Sequence, residues 1–349
     1  LYARWAEVYK YKLKQMYYPS FFILNGNNIV KYLGQITIVA FLVLAGAVGI
    51  SAGDYVAFYS SFTLLSVAFS QGSNIVDNIF SIRPMMEQLQ SIYQENTELY
   101  KRNHEFHEVN GDITLHNLQV GYHGLSEPVL KGINLGAFNS EFVGLAGPSG
   151  SGKSTILSAI LGFIKAEKGA VYFDDHALET FSPLYLRKHF GVVLQNSKLM
   201  YGTVFENISF NAPDLTKDQA YKIMCNLGMK EFVDDLPDGL DTYINENSGG
   251  LSGGQKQCIY IARAIAPKPK IIILDEATSA MDNVTQRIVL EHLKEIKATK
   301  ILVAHRLSTI KDCDCIYVIN DGRVVEEGIY DELIEAEGLF YELAKRQQL

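Results

Sequence analysis

The run Gly147-Pro148-Ser149-Gly150-Ser151-Gly152-Lys153-Ser154-Thr155 sits between the apolar pentapeptide Phe142-Val143-Gly144-Leu145-Ala146 and Ile156-Leu157-Ser158-Ala159-Ile160-Leu161. That order predicts a strand, a glycine-rich loop and a helix, and so commits the surrounding chain to an α/β layout. The spacing is G-x-x-x-x-G-K-S. Glycines let backbone N–H groups curl around a phosphate, Lys153 reaches the terminal phosphates of a nucleoside triphosphate, and the Ser154 hydroxyl can ligate magnesium. Taken alone, the run could also be an ordinary glycine-rich turn.

At 349 residues the chain is long enough for two domains, each with its own core. It carries 39 acidic against 31 basic residues, a formal charge of -8, so nothing points to a nucleic-acid partner. Cys225, Cys258, Cys313 and Cys315 make no disulfide framework, which fits a reducing cytosol. Cys313-Asp314-Cys315 lacks zinc-knuckle spacing and a second pair, so the cysteines read as structural. The chain opens with Leu1 rather than Met, has no signal-peptide pattern, and reads as the C-terminal portion of something longer.

Tyr32 to Gly53 and Tyr55 to Val76 contain no charged side chain, and each run is long enough to cross a bilayer as a helix. Gly49, Ser51, Gly53 and Asp54 supply the turn between them. The second run interleaves Phe62, Leu64, Leu65 and Phe69 with Ser60, Ser61, Ser66, Ser70, Gln71 and Asn74, which suits a helix lining a polar pathway. Arg4, Lys10, Lys12 and Lys14 precede the first run and Arg83 follows the second, so both ends are expected on the cytoplasmic side. A buried soluble helical hairpin is the alternative. Leu1 to Tyr18 reads as a cytoplasmic extension of a preceding helix.

From Met86 the composition turns polar. Glu87 to Asn110 reads as a helical extension entering a charged linker with Lys101, Arg102, His104 and His107, in which no ligand set is visible. From Asp112, short β-like runs (Ile113 to Leu118, Phe142 to Ala146, Val171 to Phe173, Gly191 to Leu194, Ile271 to Leu274, Ile301 to Ala304, Cys315 to Ile319) alternate with helical segments. This is mainly an α/β pattern with a parallel sheet.

Ile271-Ile272-Ile273-Leu274-Asp275-Glu276 is a continuous apolar run, as a strand covered on both faces requires, ending in two carboxylates. Ligands bind beyond the carboxyl ends of such strands, which places Asp275 for a magnesium shell and Glu276 to polarise a water attacking the terminal phosphate. Leu251-Ser252-Gly253-Gly254-Gln255 opens a predicted helix over Lys256 to Ala266. Ser252, Gly253, Gly254 and Gln255 at that N-terminus make a second anion-binding element.

With these motifs the whole chain resembles the ATP-binding cassette (ABC) family, whose signature is the Leu251 to Gln255 pentapeptide. The resemblance implies an α/β P-loop NTPase with a RecA-like core, an antiparallel β subdomain and a helical signature subdomain, preceded by the transmembrane α-helices of a type I exporter. It implies the cofactors ATP and Mg2+, and a second ABC subunit, as a homodimer, whose signature closes over the ATP held by this chain's glycine loop. It also implies that Tyr122 stacks on adenine, that Gln195 joins the magnesium shell and senses the membrane domain, that Asp282 in Ser279-Ala280-Met281-Asp282 communicates across the dimer, and that His305 contacts the terminal phosphate.

The implied domains are 1–87, the C-terminal part of a transmembrane domain with helices over 29–53 and 55–82; 88–110, a linker; and 111–349, the ATPase domain. The implied location is the cytoplasmic membrane, multi-pass, with the ATPase domain in the cytosol. Asn245 and Ser248 stand where glycine is usual, and Met281 where leucine is, which touches details of coupling rather than catalysis. Leu161-Gly162-Phe163, Val193-Leu194-Gln195-Asn196 and Ile261 to Lys270 resemble the bacteriocin exporters that act on nitrile-hydratase-type leader peptides. A lipid or drug exporter of the same architecture is the alternative cargo reading. A soluble ABC ATPase acting on DNA or ribosomes is the alternative class, and it would lack the two charge-free runs.

Overall fold

The computed structural model describes residues 9–10, 21–93, 107–122, 127–244, 250–304, 306 and 309–348. The chain divides into two compact units, Leu1–Asn96 and Thr97–Leu349.

In the first unit, α1 (Phe21–Val48) and α2 (Ala52–Tyr93) are joined by a short turn. Gly49 N donates to Ala45 O at 3.0 Å, and the Ser51 hydroxyl both donates to Asp54 Oδ2 at 2.7 Å and accepts from Asp54 N at 3.2 Å. Across the pair, the Phe41 and Phe58 rings stack with centroids 3.7 Å apart. The hydroxyls of Ser60, Ser61 and Ser66 donate to the carbonyls of Val56, Ala57 and Phe62, one turn back. These three of the serines expected to line a polar pathway therefore satisfy their donors within their own helix. Among the described residues no helix is long and apolar enough to cross a membrane. Helix α2 runs unbroken from Ala52 to Tyr93, past the start of the helical extension read from Glu87. Apart from Tyr9 and Lys10, the Leu1 to Tyr18 extension lies outside the described residues, as do Lys101, Arg102 and His104.

The second unit is built on a six-stranded sheet in the order β12 (Arg323–Gly328), β11 (Cys315–Asn320), β3 (Phe142–Ala146), β10 (Thr299–Val303), β9 (Ile271–Asp275), β6 (Phe190–Val193). All neighbours are parallel except β12, which runs antiparallel to β11. Alternation along β9 explains why its sequence is apolar throughout. Ile271 and Ile273 belong to one core with Ile156, Leu157 and Ile160 of α3 (Lys153–Ile160), while Ile272 and Leu274 belong to the other with Cys258, Ile259 and Ala262. Each fully buried isoleucine contributes about 1.5–3 kcal/mol, so the sheet is anchored from both faces.

A second sheet, β2 (Leu130–Ala137), β1 (Ile113–Val120), β4 (Lys168–Phe173), β5 (His176–Ala177), is antiparallel, with Ile113 opposite both Ala137 and Phe173, and β7 (Gly202–Thr203) and β8 (Tyr243–Ile244) form a separate antiparallel pair. Ile113 to Leu118 and Val171 to Phe173, expected in the parallel alternation, belong here instead. Strand β2, which pairs with β1 alone, lacks the continuous apolar signal of a covered strand, because it faces a core on one side only.

Helices α4 (Pro183–Arg187), α5 (Val204–Ser209), α6 (Lys217–Asn226) and α7 (Lys230–Asp234) precede α8 (Gly253–Ile265); α9 (Asn283–Glu295), α10 (Tyr330–Glu335) and α11 (Leu339–Gln348) follow it. Thr203 with Glu206 and Thr216 with Gln219 form capping boxes that start α5 and α6. A third box, Ser252 with Gln255, starts α8 at Gly253 rather than at Lys256. A cap is worth about 1 kcal/mol and offsets the poor helix propensity of the two glycines, which is why the propensity-based start is three residues late. Cys258 and Cys313 are buried free thiols, and burial pushes Cys258 up to about 12.

Candidate nucleotide site

The glycine loop leaves the C-terminal end of β3 and leads into α3. Gly147 has φ +143°, and a β-carbon there would run into the Ile319 carbonyl oxygen, so the loop can pass over β11 only with glycine at this position. Gly152 is the N-cap of α3 and supplies no side-chain cap, which leaves the helix's first N–H groups to an anion. Lys153 is 6% exposed. Its Nζ donates to Gly147 O and Pro148 O at 2.8 Å each and to Ser151 Oγ at 3.4 Å, folding the loop around the ammonium. Burial lowers the Lys153 pKa, opposed by the charges of Glu276 and Asp275.

The sheet order puts β9 one strand from β3, with β10 between them, and brings the two carboxylates to the same edge as the loop. Ser154 Oγ donates to Asp275 Oδ2 at 3.4 Å, and Asp275 is buried. A hydroxyl and a carboxylate converging this closely are hard oxygen donors of the kind magnesium takes alongside substrate phosphates, so the residues present fit that ion. Glu276 adopts φ +55°, its N–H donating to Val303 O at 2.9 Å and its carbonyl accepting from Ser279 N at 3.2 Å. A non-glycine residue in the left-handed region costs about 1–3 kcal/mol and marks a turn held by its surroundings.

Gln195 is exposed, two residues past β6, the strand bordering β9 on its other side. It lies on the same edge as Asp275. Tyr122 follows β1, is 45% exposed, and places its hydroxyl 3.5 Å from Thr155 Oγ1, so an open aromatic face stands beside α3. Pro148, Ser149, Gly150 and Ser151 complete the loop. His305 and the Asn245 and Ser248 departures lie outside the described residues.

Ser252 heads α8, its hydroxyl accepting from Gln255 N at 3.1 Å while its N–H donates to Gln255 Oε1 at 2.8 Å. A β-carbon on Gly253 would sit 2.9 Å from Ala280 Cβ, so this glycine is also required by packing against the Ser279 to Asp282 loop. Asp282 caps α9, accepting from Val284 N and Thr285 N at 3.0 Å each, and the Thr285 hydrogen bonds hold its carboxyl below the usual range. Met281 is buried in the core, so its exchange for the usual leucine conserves volume.

Two residues without a sequence-based role join these pieces. Gln257 reaches from α8 to Glu276 O, Ser279 Oγ and Ala280 N. Arg263, also on α8, donates through Nε to Asn207 O at 2.8 Å and through a terminal nitrogen to Lys198 O at 3.1 Å, tying α8 to the segment after Gln195. A separate cavity of about 840 Å³, lined by Pro213, Lys222, Pro267, Lys268, His292 and Lys297 among others, contains none of the nucleotide-site residues.

The family profile described as ABC transporter matches residues 130–279, a stretch running from β2 through the glycine loop, the signature and Glu276. The chain contains an ABC transporter ATPase domain. The alpha-hemolysin translocation ATP-binding protein HlyB of Escherichia coli is 35% identical over 311 residues, 88% of this chain and 44% of that protein. The exotoxin translocation ATP-binding protein PaxB of Pasteurella aerogenes is 37% identical over 256 residues, 72% of this chain and 36% of that protein. The chain thus spans less than half the length of these curated relatives. A bacterial Atm1-family ABC exporter solved with ATP bound superposes with a TM-score of 0.77 at 27% identity, covering 94% of this chain and 60% of that one.

Proposed function

We propose that the chain is the ATP-hydrolysing portion of an ABC exporter subunit that moves a polypeptide across the cytoplasmic membrane. The observation that carries this reading is the convergence of Lys153, Ser154, Asp275 and Glu276 at one edge of the parallel sheet. ATP would enter with its base against Tyr122 and its phosphates over the N–H groups of Gly147 to Thr155. Lys153 would exchange the carbonyls of its own loop for phosphate oxygens. Ser154, Asp275 and Gln195 would hold Mg2+, which neutralises charge developing on the phosphates. Glu276 would accept a proton from the water that attacks the terminal phosphorus as the bond to the ADP oxygen breaks, and His305 would contact that phosphate.

Ser252 to Gln255 would close over ATP held by a second copy, with Asp282 at the boundary between copies. Residues 29–53 and 55–82 would span the bilayer: Leu33, Ile36, Val43, Leu44, Leu64 and Leu65 are exposed apolar side chains, and the hydroxyls of Ser60, Ser61 and Ser66 are satisfied internally, as hydrocarbon demands. The names of the toxin-translocation relatives favour a polypeptide cargo over a lipid or drug, and the leader-peptide resemblance narrows it to a leader-bearing, bacteriocin-like peptide. ATPase assays of the full-length protein in lipid test this. Leader peptides should stimulate turnover where lipids and drugs do not, and Glu276→Gln should retain nucleotide binding while steady-state hydrolysis disappears. Near-normal turnover by Glu276→Gln would overturn the assigned role.

A further inference from the structure

The left-handed turn at Glu276 is held from two sides. Its N–H is bonded to Val303 O on β10, and its carbonyl accepts from Gln257 Nε2 at 3.3 Å as well as from Ser279 N. The same amide nitrogen of Gln257 donates to Ser279 Oγ at 3.0 Å, and Gln257 Oε1 accepts from Ala280 N at 2.9 Å. One glutamine side chain therefore spends both ends of its amide on the turn that follows Asp275. It does so from the second turn of the helix that Ser252 caps, where Gly253 already packs against Ala280.

We propose that Gln257 is a positioning residue, fixing the peptide units after Asp275 so that the Glu276 carboxylate stays directed at the glycine loop and follows any displacement of α8. The proposal rests on the ATPase reading above. Side-chain direction at Glu276 is set by a backbone conformation that lies above the ordinary minimum. Without the donor to its carbonyl and the acceptor for Ala280 N, the turn loses its contact with α8 and relaxes toward negative φ. A carboxylate displaced by an ångström no longer aligns a water with the phosphorus, although the binding elements on β3 and α3 are untouched. Rigid packing of Gly253 on Ala280 makes the tie bidirectional: a shift of the signature end of α8 reaches Glu276 through a single side chain.

The test compares full-length wild type, Gln257→Leu and Gln257→Glu in lipid. Leucine removes all three bonds at similar volume, whereas glutamate keeps an acceptor for Ala280 N and lacks the donor for Glu276 O and Ser279 Oγ. Both variants should lose about tenfold or more in kcat, with the KM for ATP and the ATP-induced rise in melting temperature at wild-type values. A kcat within about twofold of wild type in either variant, or a loss carried by KM, overturns the positioning role. Failure of both variants to fold overturns it in favour of a purely architectural one. Absence of hydrolysis in wild type itself overturns the ATPase reading beneath it.

Discussion

Ser154 Oγ and Asp275 Oδ2 lie 3.4 Å apart although 121 residues separate them in the chain. That distance is long for a hydroxyl–carboxylate hydrogen bond, and two hard oxygens held so are better suited to share a small cation than to bind each other. Asp275→Asn keeps the shape but replaces one carboxylate oxygen with an amide nitrogen and removes the negative charge. It should lower kcat at saturating Mg·ATP by about a hundredfold or more while leaving nucleotide binding in EDTA within a factor of about three. Equilibrium binding of a fluorescent ATP analogue with and without magnesium, beside steady-state rates, separates the two effects.

Arg263 joins α8 to the segment between β6 and α5. Its guanidinium meets Asn207 O, Asn207 Oδ1 and Lys198 O, and burial lowers its pKa. Asn207 is itself fully buried, bonded to Met200 N, Met200 O and Thr203 O. Removing the arginine leaves carbonyls without a donor, so Arg263→Ala should cost about 2–4 kcal/mol. Arg263→Lys should recover less than half of this, because one ammonium cannot span the three acceptors. Chemical denaturation of the two variants measures it.

The parts of the site legible in the sequence are contiguous: Gly147 to Thr155, Ile271 to Glu276 and Leu251 to Gln255 each carry their elements and chemistry within a few residues. Gln257 was not legible, although it sits two residues past the signature. Its partners Ser279 and Ala280 are more than twenty positions away, and a polar residue on an amphipathic helix looks the same whether it faces water or a loop. Arg263 and Asn207 were hidden for the same reason, 56 residues apart. The true start of α8 was obscured because glycine propensity argues against it, and the reciprocal Ser252–Gln255 cap outweighs that. Ile113 to Leu118 could be read as a strand but not assigned to its sheet, since the antiparallel partner β2 faces a core on one side only.

Lys300 is 1% exposed, with Nζ donating to Ile296 O at 2.9 Å and lying 5.8 Å over the Phe142 ring. Burial lowers its pKa from 10.5, opposed by the charge of Asp314. The folded chain therefore holds this proton less tightly than the unfolded chain. Between the folded pKa and 10.5 the unfolded state binds more protons, so the lysine's penalty is present in full below that window and disappears as pH rises through it. Urea unfolding of wild type against Lys300→Met, from about pH 8 upward, should show the wild type gaining stability relative to the variant as pH increases. A pH-independent difference would mean that the ammonium is solvated in the folded protein.

Subunit mixing tests the pairing of Ser252 with a glycine loop on another copy. In the proposed dimer each ATP lies between the Lys153 side of one subunit and the Ser252 side of the other. Subunits carrying Lys153→Ala cannot bind ATP productively, and subunits carrying Ser252→Ala cannot close over it. Reconstituted separately, both homodimers should be inactive. In an equal mixture, half of the dimers combine the two variants, and each such dimer has one site built from the intact loop of one chain and the intact signature of the other. The second site collects both defects. Random assembly should therefore restore about a quarter of the wild-type rate if the sites act independently, and less if one site needs the other's closure. Were Ser252 to act on the ATP of its own chain, each mixed dimer would hold two singly broken sites, and the mixture would stay as inactive as its components.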